Sequence, residues 1–263
     1  MTEVSKQIEC NVAEGVATIT LNNPPLNVVT LGMSRELDRV LPALAVDSDV
    51  RVLILTGKGE RAFCAGSDIS EFPKMLGRGK IVPMKLDFEN RVYGQVAKFP
   101  KPTIAAVSGL AYGGGLELAV CCDFIVIEET TRLGLPEIKL GVFPGSGGTV
   151  RVTRRIGASR AKEMMFYGEP IDAPTALLWG LVNRVVPVGQ SRDAALAMAR
   201  GLADQPNLAL QLCKAAIALS YELPEDEAIR RTMDLSDSVF DTEDCREGVR
   251  AFFAKEKPRF RHR

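Results

Sequence analysis

Two glutamates stand in apolar stretches of the sequence, and they are the side chains best suited to chemistry. Glu117 lies between two leucines, and Glu137 lies between a proline and an isoleucine. A carboxylate in such company is costly to bury unless it is paired or used. Two carboxylates that share a site can hold a proton unequally, because burial and like charge raise the pKa of one of them. For each glutamate taken alone, acid–base catalysis and a structural role are both open.

A glycine triplet, Gly113–Gly115, comes just before Glu117. The apolar run Thr103–Val107 predicts a strand buried on both faces, and Leu116–Cys122 is rich in helix formers. The order is therefore a strand, a glycine turn and a helix start. Backbone N–H groups in the first turn of a helix have no intrahelical acceptor, so the N–H of Gly114 is a candidate donor to a developing oxyanion. The alternative is that the glycines only permit close helix packing.

The counts of histidine and cysteine limit the types of catalytic and metal sites that the chain can form. The only histidine, His262, is next to the last residue, so a Ser–His or Cys–His nucleophile would need its base at the end of the chain. A metal site built on histidines has no second ligand of that type. The six cysteines show no CxxC spacing, which predicts reduced core thiols in a cytoplasmic protein. Acid–base chemistry by carboxylates, without a metal, is the expectation.

The charge balance bears on the class of partner. The chain has 33 Lys and Arg residues against 33 Asp and Glu residues, which provides no electrostatic case for a nucleic-acid or membrane partner. The N-terminal stretch lacks the apolar core of a secretory signal, and no run approaches the length of a membrane span. These features favour a small-molecule substrate.

Hydrophobic patterns predict an α/β body followed by a helical region. The segment Phe72–Val92, with two prolines and two glycines, predicts a variable, partly helical surface excursion. Strand patterns end before Asp204, which suggests a core of residues 1–203 and a helical region of residues 204–263 used for packing between subunits. The predicted strands are Ile8–Cys10, Val16–Leu21, Val52–Thr56, Ala62–Ala65, Thr103–Val107, Phe124–Ile127 and Val182–Val186. The predicted helices are Leu31–Val46, Leu116–Cys122, Ser159–Tyr167, Ala173–Trp179, Ser191–Ala203, Leu208–Tyr221, Pro224–Phe240 and Thr242–Lys255, the last with Asp241 as N-cap.

Three motifs in a fixed order carry a resemblance to a known family. They are AGSD at residues 65–68, GGGLE at residues 113–117, and the PE of residues 136–137 followed by a glycine-rich loop. With these motifs the chain resembles the crotonase (enoyl-CoA hydratase/isomerase) superfamily from residue 21 to residue 260. The resemblance implies an α/β fold, in which ββα repeats form a spiral and a C-terminal helical region builds trimers. Two such trimers often stack into a hexamer.

The resemblance also implies the roles of site residues. In the family a thioester carbonyl lies between two backbone N–H groups, which by motif position belong to Ser67 and Gly114. Hydratases of the family use two glutamates as acid and base, and these fall on Glu117 and Glu137. Coenzyme A is part of the substrate, so the resemblance implies no separate cofactor and no metal.

Contacts with coenzyme A are implied in two places. Family members bind the adenine end along the backbone near the Ala-Gly-x-Asp turn, and a lysine and a phenylalanine of the C-terminal helix, often from a neighbouring protomer, also contact CoA. By position these residues are Ala65, Asp68, Ile69, Phe252 and Lys255. Asp68 is equally suited to cap the segment that follows it. Pro24-Pro25 stands where many hydratases have a basic residue.

The function implied by the resemblance is hydration of a 2-enoyl-CoA to the 3-hydroxyacyl-CoA, a reaction of fatty acid metabolism. Within the family the alternatives are Δ3-Δ2-enoyl-CoA isomerisation, hydrolysis and other acyl-CoA lyase reactions, because one site serves several reactions. Some relatives bind RNA, and the zero net charge argues against that role here. An inert assembly partner is a further alternative, and the presence of both glutamates argues against it.

Overall fold

Fully apolar runs of the sequence form the central strands of a six-stranded sheet. The computed structural model describes residues 6–262. Its strands are β1 (Ile8–Ala13), β2 (Val16–Leu21), β3 (Val52–Gly57), β4 (Ala62–Cys64), β5 (Thr103–Val107), β6 (Leu110–Tyr112), β7 (Phe124–Glu128), β8 (Arg132–Gly134), β9 (Ile171–Asp172) and β10 (Arg184–Val186). The larger sheet has the order β1-β2-β3-β5-β7-β10, in which β1 and β2 are antiparallel and the other pairs are parallel.

Helices cover both sheets and form the last part of the chain. They are α1 (Leu31–Val46), α2 (Asp87–Ala97), α3 (Gly114–Ala119), α4 (Gly148–Tyr167), α5 (Ala173–Leu178), α6 (Ser191–Ala203), α7 (Asn207–Leu219), α8 (Glu225–Phe240) and α9 (Glu243–Ala254). Short 3₁₀ segments span Ile69–Met75 and Pro136–Leu140, and a π-helical turn, Val82–Leu86, leads into α2. None of the helices within residues 6–262 combines the length and the apolar character that a membrane span needs.

A second, four-stranded sheet has the order β4-β6-β8-β9. Consecutive strands enter different sheets: β3, β5 and β7 lie in the larger one, and β4, β6 and β8 follow each of them into the smaller one. α3 follows the pair β5–β6, and α4 follows the pair β7–β8. This repeated strand–strand–helix turn is the ββα spiral that the resemblance implied.

The central strands of the larger sheet are buried on both faces. Every residue of β3 is buried, and its side chains alternate between two apolar clusters. Leu53 and Leu55 pack on the side of α1 and α2, whereas Val52 and Ile54 pack against alanines of α6. Small residues on α6 allow it to lie close to the sheet. The strands that follow β3 and β5 in the chain, β4 and β6, lead at their carboxyl ends into the turns at residues 65–68 and 113–114.

The segment predicted as a surface excursion ends in a helix that is partly buried. Phe72–Val92 does begin as short 3₁₀ and π turns, but its end belongs to α2, whose Val92, Tyr93 and Val96 are buried. The prediction of a partly helical segment agrees with α2, whereas the predicted surface position is wrong for Glu89 and Val92, which are buried. Glu89 faces inward although Asp87 and Arg91 on the same helix are exposed, so hydropathy alone indicates a surface helix.

The helical C-terminal region agrees with the sequence pattern, apart from one cap. Within the described residues, no strand follows residue 186, and α7, α8 and α9 cover most of residues 207–254. Thr242, and not Asp241, caps α9, because its hydroxyl accepts a hydrogen bond from the Cys245 N–H at 3.0 Å. Asp241 instead pairs with Arg246 at 2.8 Å. The division into a core of residues 1–203 and a packing region of residues 204–263 stays a prediction.

Candidate active site

The three glycines of the triplet have three different surroundings. Gly113 has a φ of +51°, which favours glycine, and Gly114 is the first residue of α3. A Cβ atom on Gly114 would lie 3.4 Å from the Ser67 nitrogen. A Cβ atom on Gly115 would collide with the Cys64 carbonyl oxygen and lie 2.8 Å from its carbonyl carbon. Close packing therefore explains Gly115, whereas Gly114 faces a second turn of the chain.

That second turn contains Ser67. One edge of its backbone forms a parallel β-bridge with Val29. The Val29 N–H donates to the Gly66 carbonyl at 2.8 Å, and the Asp68 N–H donates to the Val29 carbonyl at 2.9 Å. In such a bridge the intervening N–H points the other way, so the Ser67 N–H is directed away from Val29. The N–H of Gly114, at the first helical position, has no intrahelical acceptor. The two backbone donors predicted from the sequence thus lie on neighbouring turns.

Glu117 is buried with only 3% of its surface exposed. Its Oε1 accepts hydrogen bonds from the N–H groups of Ser146 and Gly148, both at 2.8 Å. Burial raises its pKa from 4.5 to about 8, although the Gly148 hydrogen bond opposes this change, and the negative charges of Glu137 and Glu89 add to it. Glu117 is therefore a carboxyl group that can hold a proton near neutral pH.

Glu137 lies in the 3₁₀ segment Pro136–Leu140 and approaches the glycine turn from the other side. A Cβ atom on Gly113 would lie 3.1 Å from its Oε1. Its Oε2 is buried and has no hydrogen-bond partner among the described residues, and burial raises the pKa of this carboxyl group as well. Two carboxyl groups that are 20 residues apart in sequence, both with raised pKa values, therefore flank one glycine turn.

The residues implied in coenzyme A binding fall into two groups. Ala65 accompanies Ser67, and its N–H donates to the Leu26 carbonyl at 2.9 Å. Asp68 accepts a hydrogen bond from the Ser70 N–H at 2.9 Å, so the capping alternative describes its side chain, and Ile69 is exposed. Phe252 and Lys255 lie at the end of α9, where Phe252 is 79% exposed. Within the described part of the chain, no hydrogen bond or ion pair connects them to the glutamates, and their role stays a prediction.

Comparisons with known proteins identify the family of this chain. The sequence profile of the family described as enoyl-CoA hydratase/isomerase matches residues 11–263. A Rhizobium meliloti protein named "Probable enoyl-CoA hydratase" is 43% identical over 249 residues, which cover 94% of this chain and 95% of that protein. The chain belongs to the enoyl-CoA hydratase/isomerase family.

Further relatives of this family member are similar over nearly their whole length. The "Short-chain-enoyl-CoA hydratase" of Clostridium acetobutylicum is 37% identical, and the match covers 92% of each chain. The crystal structure of an enoyl-CoA hydratase from Bacillus anthracis has a TM-score of 0.93 at 35% identity and covers 98% of this chain and 100% of that chain. The crotonase-like fold implied by the motifs is thus confirmed.

Sequence reasoning missed several polar residues behind the site of this hydratase/isomerase family member. Glu89 and Tyr93 on α2 are completely buried, and so is Lys85 in the preceding π turn. Ser146, in the loop before α4, connects Glu89 to Glu117 through its side chain and backbone. The four-residue spacing of Lys85, Glu89 and Tyr93 was the only sequence pattern that could have indicated them. Polar residues at that spacing are also typical of the solvent-exposed face of a helix.

The close approach at Gly115 predicts a large loss of stability on substitution. We expect Gly115→Ala to lower the free energy of unfolding by about 3 kcal/mol, because the added methyl collides with backbone atoms that cannot rotate away. Urea denaturation is the measurement. Gly201→Ala in α6 is the matched control, since its Cβ meets nothing within 4 Å, and it should stabilise the protein by about 0.5–1 kcal/mol. Equal stability of Gly115→Ala and the parent would contradict the packing.

The raised pKa of Glu117 predicts a pH-dependent stability. Between pH 4.5 and about 8 the folded protein holds a proton at Glu117 that the unfolded chain releases. The free energy of unfolding should therefore fall as pH rises through this window, by at most about 1.4 kcal/mol per pH unit from this group. Glu117→Gln removes the titration, so the urea midpoints of variant and parent should diverge with rising pH in favour of the variant. Parallel curves from pH 5 to pH 8 would contradict the prediction.

Proposed function

We propose that this family member hydrates a trans-2-enoyl-CoA to the 3-hydroxyacyl-CoA. The observation that carries the proposal is that Glu137 reaches Gly113 of the glycine turn, that α3 starting at this turn carries Glu117, and that the charge of Glu137 raises the pKa of Glu117. Relatives named as enoyl-CoA hydratases, at 37–43% identity, support the same reaction.

The proposed oxyanion hole consists of the N–H groups of Ser67 and Gly114. When hydroxide adds to the β carbon of an α,β-unsaturated thioester, negative charge develops on the thioester oxygen. Two preorganised N–H donors stabilise that charge, and a single donor of this kind contributes about 3–4 kcal/mol in comparable enzymes. The turn between β4 and the 3₁₀ segment and the start of α3 supply these donors from two rigid elements.

The proposed acid and base are the two glutamates. Water forms a bond to the β carbon and loses a proton to one carboxylate, while the α carbon receives a proton from the other carboxyl group. Because burial raises both pKa values and the charge of one group opposes ionisation of the other, the pair can hold one proton in the neutral range. The reaction as proposed transfers only protons and water, so it uses no cofactor besides the CoA of the substrate.

The test is a product assay with crotonyl-CoA and a panel of longer enoyl-CoA thioesters. We expect the ultraviolet absorbance of the conjugated thioester to fall as the purified protein adds water, with 3-hydroxyacyl-CoA as the product. The main alternative, Δ3-Δ2 isomerisation, would instead raise that absorbance from a 3-enoyl-CoA, and hydrolysis would release free CoA. Absence of a hydroxyacyl product from every member of the panel would refute the proposal.

We also propose that the helical C-terminal region assembles the protein into a homotrimer or a hexamer of two trimers. Large apolar side chains of α7, of the turn after it, of α8 and of α9 are more than half exposed in the single chain, and a partner subunit would cover them. They are Ile217, Tyr221, Ile229, Met233, Phe240, Val249, Phe252 and Phe253. In this assembly Phe252 and Lys255 would contact CoA bound to a neighbouring protomer. Sedimentation equilibrium should give three or six times the mass of one chain, and a monomer would refute the assembly.

A further inference from the structure

One face of the helical segment before β5 carries three buried polar side chains. Lys85, Glu89 and Tyr93 are spaced four residues apart, so they lie on one side of this segment, and they are 1%, 0% and 0% exposed. We refer to these three residues as the polar stripe. Every member of the polar stripe makes a hydrogen bond or an ion pair, and most of these contacts reach the candidate active site.

Glu89 contacts two of the turns that form the site. Its Oε2 accepts a hydrogen bond from the Ser146 hydroxyl at 2.8 Å, and the Ser146 N–H in turn donates to Glu117 at 2.8 Å. The Ser67 hydroxyl donates to the Glu89 Oε1 at the longer distance of 3.5 Å. One side chain therefore connects the turn of a proposed oxyanion donor to the loop that binds the Glu117 carboxyl group.

The other two members of the polar stripe hold Glu89 and the glycine turn. The Lys85 ammonium lies 3.0 Å from Glu89 Oε1 and 2.7 Å from Glu71 Oε2, which compensates the buried charge. The Tyr93 hydroxyl donates to the Gly114 carbonyl at 3.0 Å. The Ser67 turn, the Ser146 loop and the start of α3 are thus each hydrogen-bonded to the polar stripe.

A purely structural role is a poor explanation for the buried ion pair between Lys85 and Glu89. Burying two opposite charges costs several kcal/mol per ion before their attraction is counted, and apolar residues of similar volume often stabilise a protein as well or better. Glu89 lies next to the reacting groups, where a fixed charge and a fixed hydrogen bond have chemical consequences.

We propose that Glu89, with Lys85 as its counterion, is a positioning residue that holds the Ser146 loop and the Ser67 turn in register for the reaction at Glu117. The inference rests on the proposed hydratase function. Glu89 does not touch the reacting atoms; it acts through Ser146 and Ser67. Its negative charge also opposes ionisation of Glu117. The other titratable or charged groups facing Glu117 are Glu137, Tyr93 and Cys121, with Arg151 bonded to the Ser146 carbonyl.

The first test compares two serines that make the same kind of hydrogen bond in different places. Ser146→Ala removes the hydroxyl donor to Glu89 and keeps the backbone N–H to Glu117. Ser191→Ala is the matched control, because the Ser191 hydroxyl donates to the buried Glu128 at 2.7 Å, away from the site at the start of α6. We expect Ser146→Ala and Glu89→Gln to lower kcat about tenfold to a hundredfold with KM changed less than threefold. Ser191→Ala should keep kcat within twofold of the parent.

The second test does not depend on catalysis. The urea midpoints of parent and Glu117→Gln, compared from pH 5 to pH 9, report the titration of Glu117, and the same comparison is made in the Glu89→Gln background. We expect the apparent midpoint of that titration to move to lower pH, because a nearby negative charge is removed.

The outcomes separate the two hypotheses. If the parent does not hydrate any enoyl-CoA, the proposed function fails, and the Glu117 titration still tests the coupling to Glu89. If the parent hydrates its substrate but Ser146→Ala and Glu89→Gln match Ser191→Ala in kcat, the positioning proposal is overturned. An unchanged Glu117 titration in the Glu89→Gln background overturns it as well.

Discussion

Glu117→Gln and Glu137→Gln are each expected to lower kcat for hydration of crotonyl-CoA by at least about a hundredfold. Glutamine has nearly the same shape as a protonated glutamic acid, so the substitution removes proton transfer and little else. At position 117 the amide oxygen can still accept the hydrogen bonds from the N–H groups of Ser146 and Gly148. A steep loss of kcat with an unchanged fold would therefore show that the glutamate transfers a proton in the chemical step.

The control for both variants is Glu128→Gln. Glu128 is another buried glutamate, 4% exposed, and it accepts a hydrogen bond from the Ser191 hydroxyl at the start of α6. Its replacement should leave kcat within about twofold of the parent, since it lies outside the proposed acid–base pair. If either Glu117→Gln or Glu137→Gln also stays within a few-fold of the parent, the two-glutamate assignment is wrong.

Gly114→Ala is expected to lower kcat by about two decades while the protein stays folded. The added methyl would lie 3.3 Å from the Ser67 hydroxyl oxygen and 3.4 Å from both the Ser67 nitrogen and the Tyr93 hydroxyl oxygen. It would therefore crowd the space between the two proposed donors, and loss of one oxyanion-hole donor costs about 10²–10³ in kcat. Helix propensity favours alanine over glycine, which offsets part of the strain.

Two neighbouring substitutions identify the cause of such a loss. Gly115→Ala should unfold the protein more easily, and Gly201→Ala should change neither fold nor rate. Measured with kcat and the urea midpoint together, the three variants separate a blocked site from a strained backbone. A Gly114→Ala protein with the activity of the parent would show that the gap between Ser67 and Gly114 does not hold the thioester oxygen.

The strands of the larger sheet were predictable because of their composition. Val52–Gly57 and Thr103–Val107 are apolar or small along their whole length, and a central parallel strand is covered on both faces, so a continuous apolar run indicates it. The three-residue strand Leu110–Tyr112 was missed, because it is too short to show a period between flanking glycines. The C-terminal helices were predictable to within a residue or two from their 3.6-residue period, although the N-cap predicted for the last of them was wrong.

Helix Asp87–Ala97 illustrates the limit of pattern reasoning. Its inward face includes Glu89 and Tyr93, and the preceding turn contributes Lys85. In sequence these polar residues indicate a solvent-exposed helix face. Their burial requires further hydrogen-bond and ion-pair partners from other parts of the chain. Ser146, which binds Glu89, lies 57 positions later in the chain than Glu89. Glu71, which binds Lys85, lies 14 positions earlier than Lys85.

The sequence by itself determined which chemical groups were available: two glutamates in apolar surroundings, a glycine turn at a helix start, no histidine before residue 262, and three motifs in the order of the family. Only the tertiary structure decided how those groups meet. The Ser146 loop binds Glu117 across 29 residues, and Ser67 reaches Gly114 through the pairing of β4 with β6. The physical reason is that burial, and with it the raised pKa values of both glutamates, depends on distant segments packing together, which no local pattern specifies.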